Sequence, residues 1–178
     1  ADRFKYVADP ELADVTWNGM ISDKYIEKRQ KEIKDTAPST FKAGNPWIEE
    51  GRDPKFVLES SQPRPDSGTT HVGVIDKDGN AVSITNTIMS GFGSGIIPKN
   101  TGVVMNNGMM WYDPTPNRVN SIASGKFPLN NMTPALVIGK DGVEISVGAS
   151  GGRRITNCVT SLLVKMIDYK MSPQKAID

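Results

Sequence analysis

Two short segments of the chain alternate apolar and polar residues, and together they predict a β-hairpin. The first covers residues 70–75 and the second residues 81–88, with the turn-forming residues 76–80 between them. Alternation over this length is typical of a strand with one buried face. An Asp-Gly pair between two such segments is typical of a hairpin connection.

The length of the connecting loop decides which residues face each other. A two-residue turn at Asp78-Gly79 would place Val74 opposite Ser83 and split the apolar set. A three-residue loop, with Gly79 left-handed in a G1 bulge, places Val74 opposite Val82. A one-residue slip turns every side chain to the other face of the sheet. We therefore expect the three-residue loop.

This register places Thr87 directly opposite Thr69 and gives the hairpin a second, polar face. A line of small polar side chains is unusual on a buried sheet face and suits a lined pocket. The residues on this face are Thr69, His71, Gly73, Ser83, Thr85 and Thr87.

The peptide between Gly68 and Thr69 is the candidate for a chemical reaction. The proline-rich residues 60–67 cannot extend a sheet, so Thr69 opens the strand directly after a small residue. This arrangement is what a self-cleaving N-terminal-nucleophile hydrolase needs. We expect cleavage at Gly68-Thr69, with Thr69 as the nucleophile.

A threonine hydroxyl needs a base beside it. The sequence has a single histidine, His71, which shares a face with Thr69 but lies too close along the strand for an obvious triad, so we interpret it as structural. The α-amine that Thr69 would gain on cleavage has a pKa of about 7.7–8.0, close to neutral pH, and could act as the base without a further residue. Thr87 would share a hydrogen bond with the Thr69 hydroxyl. No metal or organic cofactor is required.

The remaining pattern predicts further elements. They are a helix over 22–34 capped by Ser22, a strand over 101–105, a second hairpin of strands 134–138 and 143–147, and a helix with one apolar face over 155–167.

Gly151 and Gly152 fall where the second hairpin turns into the last of these helices. Free N–H groups at a helix start favour negative charge and suit an oxyanion hole; the alternative is a tight turn that needs two glycines. Arg153 and Arg154 either bind a substrate carboxylate or cover the surface.

Composition narrows the class of protein. The 178 residues carry a net charge of +1 without a basic run, which disfavours nucleic acid and membrane surfaces as partners. A soluble partner or a small substrate fits better, and no apolar run is long enough to span a bilayer.

The chain starts at Ala1 and its last residues, 172–178, look like a helix just begun, so we interpret it as a fragment. A single cysteine, Cys158, excludes a disulfide within it.

Several motifs in combination resemble the γ-glutamyltranspeptidase family over nearly the whole chain. The matching residues are Ala1-Asp2-Arg3, Thr69-Thr70-His71, Asp78 to Ser83, Phe92 to Gly95, Thr101-Gly102, Asn106-Asn107, Lys126 with Pro128-Leu129, Met132 and Gly151-Gly152.

The resemblance implies an α+β fold, a four-layer αββα sandwich of antiparallel sheets, incomplete in this fragment. It implies that residues 1–68 are the C-terminal part of a large subunit with a mobile tail, and that residues 69–178 begin the small catalytic subunit. The remainder of the large subunit would be the partner in a heterodimer. It also implies a periplasmic or secreted location, and hydrolysis or transfer of γ-glutamyl groups such as that of glutathione. Thr69 would be the nucleophile, Thr87 its partner and Gly151-Gly152 the oxyanion hole.

The departures from the family pattern concentrate where the substrate binds. Met89, Gly108 and Trp111 stand where typical members hold the substrate α-amino group with Asn, Gln and Asp, and Asn130-Asn131 replaces paired serines near the α-carboxylate. A site that cannot pair a buried charge rejects it. Three alternatives therefore stay open: a γ-glutamyl hydrolase or transferase, an amidohydrolase or cephalosporin-acylase-like enzyme for another acyl group, and a catalytically silent homologue that serves as a binding subunit.

Overall fold

A computed structural model describes residues 1–36, 40–52 and 68–178. The proline-rich stretch at 60–67 lies outside the described residues. By packing, the chain forms two compact units, one of Ala1–Pro63 with Met109–Leu129 and one of Arg64–Gly108 with Asn130–Asp178. The predicted division at residues 68 and 69 is a processing boundary and stays a prediction. None of the described helices is long and apolar enough to cross a bilayer.

The first unit is helical. Its elements are α1 (Asp2–Tyr6), α2 (Trp17–Ile21), α3 (Asp23–Gln30) and the 3₁₀ turn Pro46–Glu50. A further 3₁₀ turn, Gly108–Trp111, begins at Gly108 of the second unit, and its other residues belong to the first unit.

Buried aromatic residues with satisfied polar ends hold this unit together. Tyr6 and Tyr25 are each 2% exposed. The Tyr6 hydroxyl donates to the Gly44 carbonyl at 2.6 Å and the Tyr25 hydroxyl donates to Asp2 Oδ2 at 3.0 Å. Burial, together with the bond to Asp2, raises the pKa of Tyr25. These bonds satisfy the phenol groups that burial would otherwise leave unpaired.

The helix predicted over 22–34 is shorter than expected. Ser22 is its N-cap, because the Ser22 hydroxyl accepts the Tyr25 N–H at 3.3 Å. The helix ends at Gln30, however, and Ile33 is 78% exposed. The last predicted turn has no apolar contact to stabilise it, and short helices depend on such packing.

The second unit contains two antiparallel hairpins followed by helices, so the fold is α+β. The strands are β1 (Thr69–Ile75), β2 (Ala81–Thr87), β3 (Ala135–Gly139) and β4 (Gly142–Val147). The helices are α4 (Ile155–Ile167), preceded by the 3₁₀ turn Gly152–Arg154, and α5 (Pro173–Ile177).

The first hairpin has the predicted register. Val74 pairs with Val82 and Thr69 pairs with Thr87. Gly79 has a φ of 84°, the left-handed conformation that a G1 bulge requires. The Asp76 carboxylate accepts hydrogen bonds from the side chain and backbone of Asn80, and these bonds lower the pKa of Asp76. The turn chemistry therefore sets the pairing.

The prediction of a strand over 101–105 is wrong. Met105 exchanges backbone hydrogen bonds with Ile96 and Ser94 at 2.9 Å, but these residues join no ladder. Val103 is 57% exposed. An apolar run becomes a strand only where a partner strand pairs with it, and the segment opposite is a glycine-rich turn.

The two hairpins contact each other through the polar face of the first. Ser83 Oγ donates to the Val147 carbonyl at 3.3 Å, and Ser146 Oγ donates to the Val82 carbonyl at 3.4 Å. A Cβ added at Gly73 would lie 2.6 Å from Ser146 Oγ. The approach is therefore close enough to require a glycine.

The apolar face of the first hairpin points the other way. Val72, Val74, Val82 and Ile84 are between 49% and 53% exposed. Among the described residues, the polar face is thus the better covered one.

Candidate active site

Thr69 and Thr87 meet at the end of the first hairpin. Thr69 Oγ1 donates a hydrogen bond to Thr87 Oγ1 at 3.0 Å. Both residues are half-buried, and both follow from the pairing of β1 with β2. The predicted nucleophile and its predicted partner are therefore in hydrogen-bond contact.

Thr87 accepts a second hydrogen bond, from the backbone N–H of Met89 at 2.9 Å. Met89 is 2% exposed and has a φ of 70°, a conformation that a bulky residue rarely adopts. A thioether is only a weak acceptor. The position expected to hold a substrate ammonium therefore presents a buried apolar side chain beside Thr87.

The Gly68 carbonyl is also held in place. It accepts the Ile88 N–H at 3.3 Å, which extends the β1–β2 ladder by one bond beyond Thr69. Gly68 has a φ of 92°, so the position favours glycine. The peptide bond predicted to break thus joins a left-handed glycine to the first residue of a strand.

His71 is bonded away from the nucleophile. Its Nδ1 lies 3.0 Å from Thr85 Oγ1, and its ring packs against Gly148. His71 Nε2 is buried and has no hydrogen-bond partner among the described residues. The contacts support the interpretation of His71 as a structural residue between the hairpins.

Gly151 and Gly152 occupy the predicted place, between the second hairpin and α4. Both have positive φ, 130° for Gly151 and 58° for Gly152. A Cβ at Gly151 would meet nothing within 4 Å, so backbone conformation and not crowding requires glycine there. Gly152 is buried and begins the turn that leads into α4. Gly148, in the same loop, packs against His71 of β1.

The five predicted substrate-binding residues are distributed over both units. Met89, Gly108, Asn130 and Asn131 belong to the second unit, and Trp111 belongs to the first. The Gly108 N–H donates to Asn106 Oδ1 at 2.9 Å. Trp111 Nε1 is buried without a hydrogen-bond partner among the described residues.

Asn131 lies beside the start of α4. It is 3% exposed, and its carbonyl accepts hydrogen bonds from Thr133 Oγ1 at 3.1 Å and Thr156 Oγ1 at 3.5 Å. Asn130 is exposed, and its Oδ1 accepts the Met132 N–H at 3.1 Å. The structure therefore brings Asn131 to the helix that follows Gly151 and Gly152.

The sequence reasoning assigned no role to Ile88, Ser90 or Asn107, although Asn107 is among the residues that carry the family resemblance. Asn107 Oδ1 accepts the Ser90 N–H at 3.1 Å, and Asn107 Nδ2 donates to Ser90 Oγ at 2.8 Å. The Asn-Asn-Gly run at 106–108 marks a turn, but nothing in the sequence pairs that turn with Ser90.

Comparison with known proteins gives a consistent result. The family model described as Gamma-glutamyltranspeptidase matches residues 1–178. The "Glutathione hydrolase proenzyme" of Bacillus subtilis (strain 168) is 35% identical over 180 residues, which is 100% of this chain and 31% of that protein. The chain thus spans about a third of the length of this relative.

Two solved structures resemble the chain. "Gamma-glutamyltranspeptidase from Pseudomonas nitroreducens complexed with L-DON" has a TM-score of 0.55 and 33% identity, over 60% of this chain and 61% of that one. "Crystal structure of cephalosporin acylase from Bacillus halodurans" has a TM-score of 0.75 and 28% identity, over 99% of this chain and 29% of that one.

Proposed function

Because the chain belongs to the γ-glutamyltranspeptidase family, we propose that it is part of a self-processing threonine amidohydrolase or acyltransferase with Thr69 as the nucleophile. The observation that carries this proposal is the 3.0 Å contact between Thr69 Oγ1 and Thr87 Oγ1, directly after Gly68. Covalent catalysis needs a base within about 2.6–3.2 Å of the nucleophile, and the contact with Thr87 would orient the hydroxyl for the α-amine base that cleavage supplies.

The first reaction is self-cleavage. Thr69 Oγ attacks the Gly68 carbonyl carbon, the C–N bond to Thr69 breaks, and the hydroxyl proton ends on the Thr69 nitrogen. Water then hydrolyses the resulting ester and leaves a Gly68 carboxylate and a free Thr69 α-amine. The products are two chains that stay together as a heterodimer, with residues 1–68 ending one chain and residue 69 beginning the other.

The second reaction is amide cleavage by the mature enzyme. The α-amine, with a pKa of about 7.7–8.0, takes the Thr69 hydroxyl proton at neutral pH. Thr69 Oγ attacks the substrate amide, the amine leaves, and the acyl group stays on Thr69 until water or an acceptor amine removes it. Thr87 orients the nucleophile, and N–H groups at Gly151 and Gly152 stabilise the oxyanion.

For the acyl group, we propose γ-glutamyl amides of the glutathione type, in line with the similarity to the glutathione hydrolase proenzyme of B. subtilis. Of the residues that the resemblance assigns to substrate binding, the four of the second unit, Met89, Gly108, Asn130 and Asn131, would line the acyl site. The two hairpins would contribute to the inner layers of a four-layer αββα sandwich.

A second candidate is hydrolysis of a less polar acyl group. Met89 is fully buried and is a much weaker hydrogen-bond acceptor for an ammonium than Asn would be. The cephalosporin acylase structure matches 99% of the chain. The rates of hydrolysis of a γ-glutamyl p-nitroanilide and of the p-nitroanilide of an apolar acid separate the two candidates. If the second candidate holds because Met89 offers no good acceptor to an ammonium, Met89→Asn is expected to shift the ratio toward the γ-glutamyl substrate.

Intact mass of the full-length protein tests the proposal directly. Wild type, Thr69→Ala and Thr70→Ala are incubated at neutral pH; Thr70 is exposed on the opposite face of β1 and is the matched control. We expect a cut between Gly68 and Thr69 in wild type and Thr70→Ala, and none in Thr69→Ala. A folded wild-type protein that remains uncut would contradict the proposal of a self-processing enzyme and favour a catalytically silent binding subunit.

A further inference from the structure

Met89 lies at the centre of a strained turn. The Ser90 N–H donates to the Ile88 carbonyl at 3.1 Å, two residues back, while Met89 has a φ of 70°. This is a γ-turn of the positive-φ type, which is rare and strained. Such a conformation persists only where the surroundings hold it.

The Asn107 residue supplies contacts that hold this turn. Its Oδ1 accepts the Ser90 N–H at 3.1 Å and its Nδ2 donates to Ser90 Oγ at 2.8 Å. The Asn107 backbone N–H also donates to the Ile88 carbonyl at 3.3 Å. Asn107 thus hydrogen-bonds to both ends of the turn, Ile88 and Ser90.

The turn presents two backbone N–H groups to the proposed reacting groups. The Ile88 N–H donates to the Gly68 carbonyl oxygen at 3.3 Å, and the Met89 N–H donates to Thr87 Oγ1 at 2.9 Å. Thr87 Oγ1 in turn accepts from Thr69 Oγ1 at 3.0 Å. The same turn therefore fixes the carbonyl to be attacked and the partner of the attacking hydroxyl.

We infer that Asn107 is a positioning residue for self-cleavage, because it holds the Met89 turn in the conformation that aims the Ile88 and Met89 N–H groups. The inference rests on the proposed function, since it concerns the cleavage step at Gly68-Thr69.

The Ile88 N–H has a defined role in that step. As Thr69 Oγ bonds to the Gly68 carbonyl carbon, negative charge develops on the Gly68 oxygen, where this N–H points. A donor placed at developing charge lowers the barrier without reorganising. When the tetrahedral intermediate collapses, the oxyanion re-forms the Gly68 carbonyl, the electron pair of the C–N bond leaves on the Thr69 nitrogen, and the hydroxyl proton moves to that nitrogen.

The test is the time course of self-cleavage of the full-length protein, followed by intact mass. Asn107→Ala is expected to slow cleavage on the order of 10²-fold, the scale of a small misplacement of reacting groups. Asn107→Asp keeps an acceptor for the Ser90 N–H and is expected to restore part of the rate. Asn86→Ala makes the same change at an exposed position of β2 and serves as the control.

A suppressor experiment separates positioning from general loss of stability. Glycine adopts positive φ without strain, so the turn in Met89→Gly needs less support. The factor by which Asn107→Ala slows self-cleavage is therefore expected to be smaller in the Met89→Gly background than in wild type. A merely structural role would give the same or a larger loss, because the two changes would weaken the fold together.

The outcomes are distinct. Cleavage of Asn107→Ala within twofold of wild type overturns the inference and leaves the proposed function standing, provided that Thr69→Ala stays uncut. Equal losses in the two Met89 backgrounds also overturn it. A folded wild type that remains uncut overturns the inference together with the proposed function.

Discussion

At the scale of single residues, one oxygen atom, Thr87 Oγ1, accepts two hydrogen bonds. It accepts from the Thr69 hydroxyl and from the buried Met89 N–H. Removing the oxygen affects both donors, and a buried N–H left unpaired costs about 1–3 kcal/mol. Thr87 therefore links the stability of the turn to the position of the nucleophile.

Thr87→Val and Thr87→Ser test this link. Valine keeps the shape and loses the oxygen, so we expect a loss of about 1–3 kcal/mol in unfolding free energy and strongly slowed self-cleavage. Serine keeps the oxygen, so cleavage is expected to remain within roughly tenfold of wild type, the range of 1.4 kcal/mol. Urea denaturation and intact mass measure the two effects. Similar behaviour of both variants would contradict the role of the oxygen.

The contact between Thr69 and Thr87 could be predicted because strand alternation and loop length determine it. The conformation of Met89 could not. Glycine or asparagine would have signalled a positive φ, whereas methionine gives no such signal. The Ser90–Asn107 contacts were missed for a related reason, since they depend on where two turns meet.

At the scale of elements, the hairpins and α4 followed their patterns while the strand at 101–105 did not. A hairpin contains its own partner, so the local sequence specifies the pairing. A lone apolar segment needs a distant partner that its own sequence does not show. The Ser22 cap allowed the start of α3 to be predicted, whereas the end of α3 at Gln30 was not predicted.

Two serines at helix starts give a matched comparison. The Ser22 hydroxyl accepts the Tyr25 N–H at 3.3 Å and donates to the Gly19 carbonyl at 2.9 Å. Ser172 precedes α5 without a side-chain cap bond. We expect Ser22→Ala to lower the unfolding free energy by about 1 kcal/mol and Ser172→Ala to change it little. Urea denaturation of both variants checks this, and equal losses would contradict the assignment of the cap.

At the scale of the whole molecule, Asp9 joins distant parts of the first unit. Its Oδ2 accepts the Phe127 N–H at 2.9 Å, across 118 positions in sequence, and its Oδ1 accepts the Glu11 N–H at 3.0 Å. The bond from Phe127, followed by that from Glu11, lowers the pKa of Asp9. This carboxylate therefore makes the stability of the first unit depend on pH.

The sign of the pH dependence follows from that shift. Because the pKa of Asp9 is lower in the folded state, its contribution is present above the unfolded value of about 3.9 and is lost as pH falls through the folded value. Asp9→Asn removes the ionisation. We expect the variant to show a shallower loss of unfolding free energy below about pH 4 than wild type. Denaturation at several pH values measures the difference, and parallel curves would contradict the prediction.

The ladder between β1 and β2 also governs what happens to a new chain end. Terminal residues normally fray, and cleavage would make Thr69 the first residue of its chain. Each strand has 7 residues in register, so the end cannot drift without the hairpin unzipping from that side. The amide protons of β1 that donate to β2 should therefore exchange slowly both before and after the cut. The nucleophile would be released from its covalent neighbour and still remain anchored.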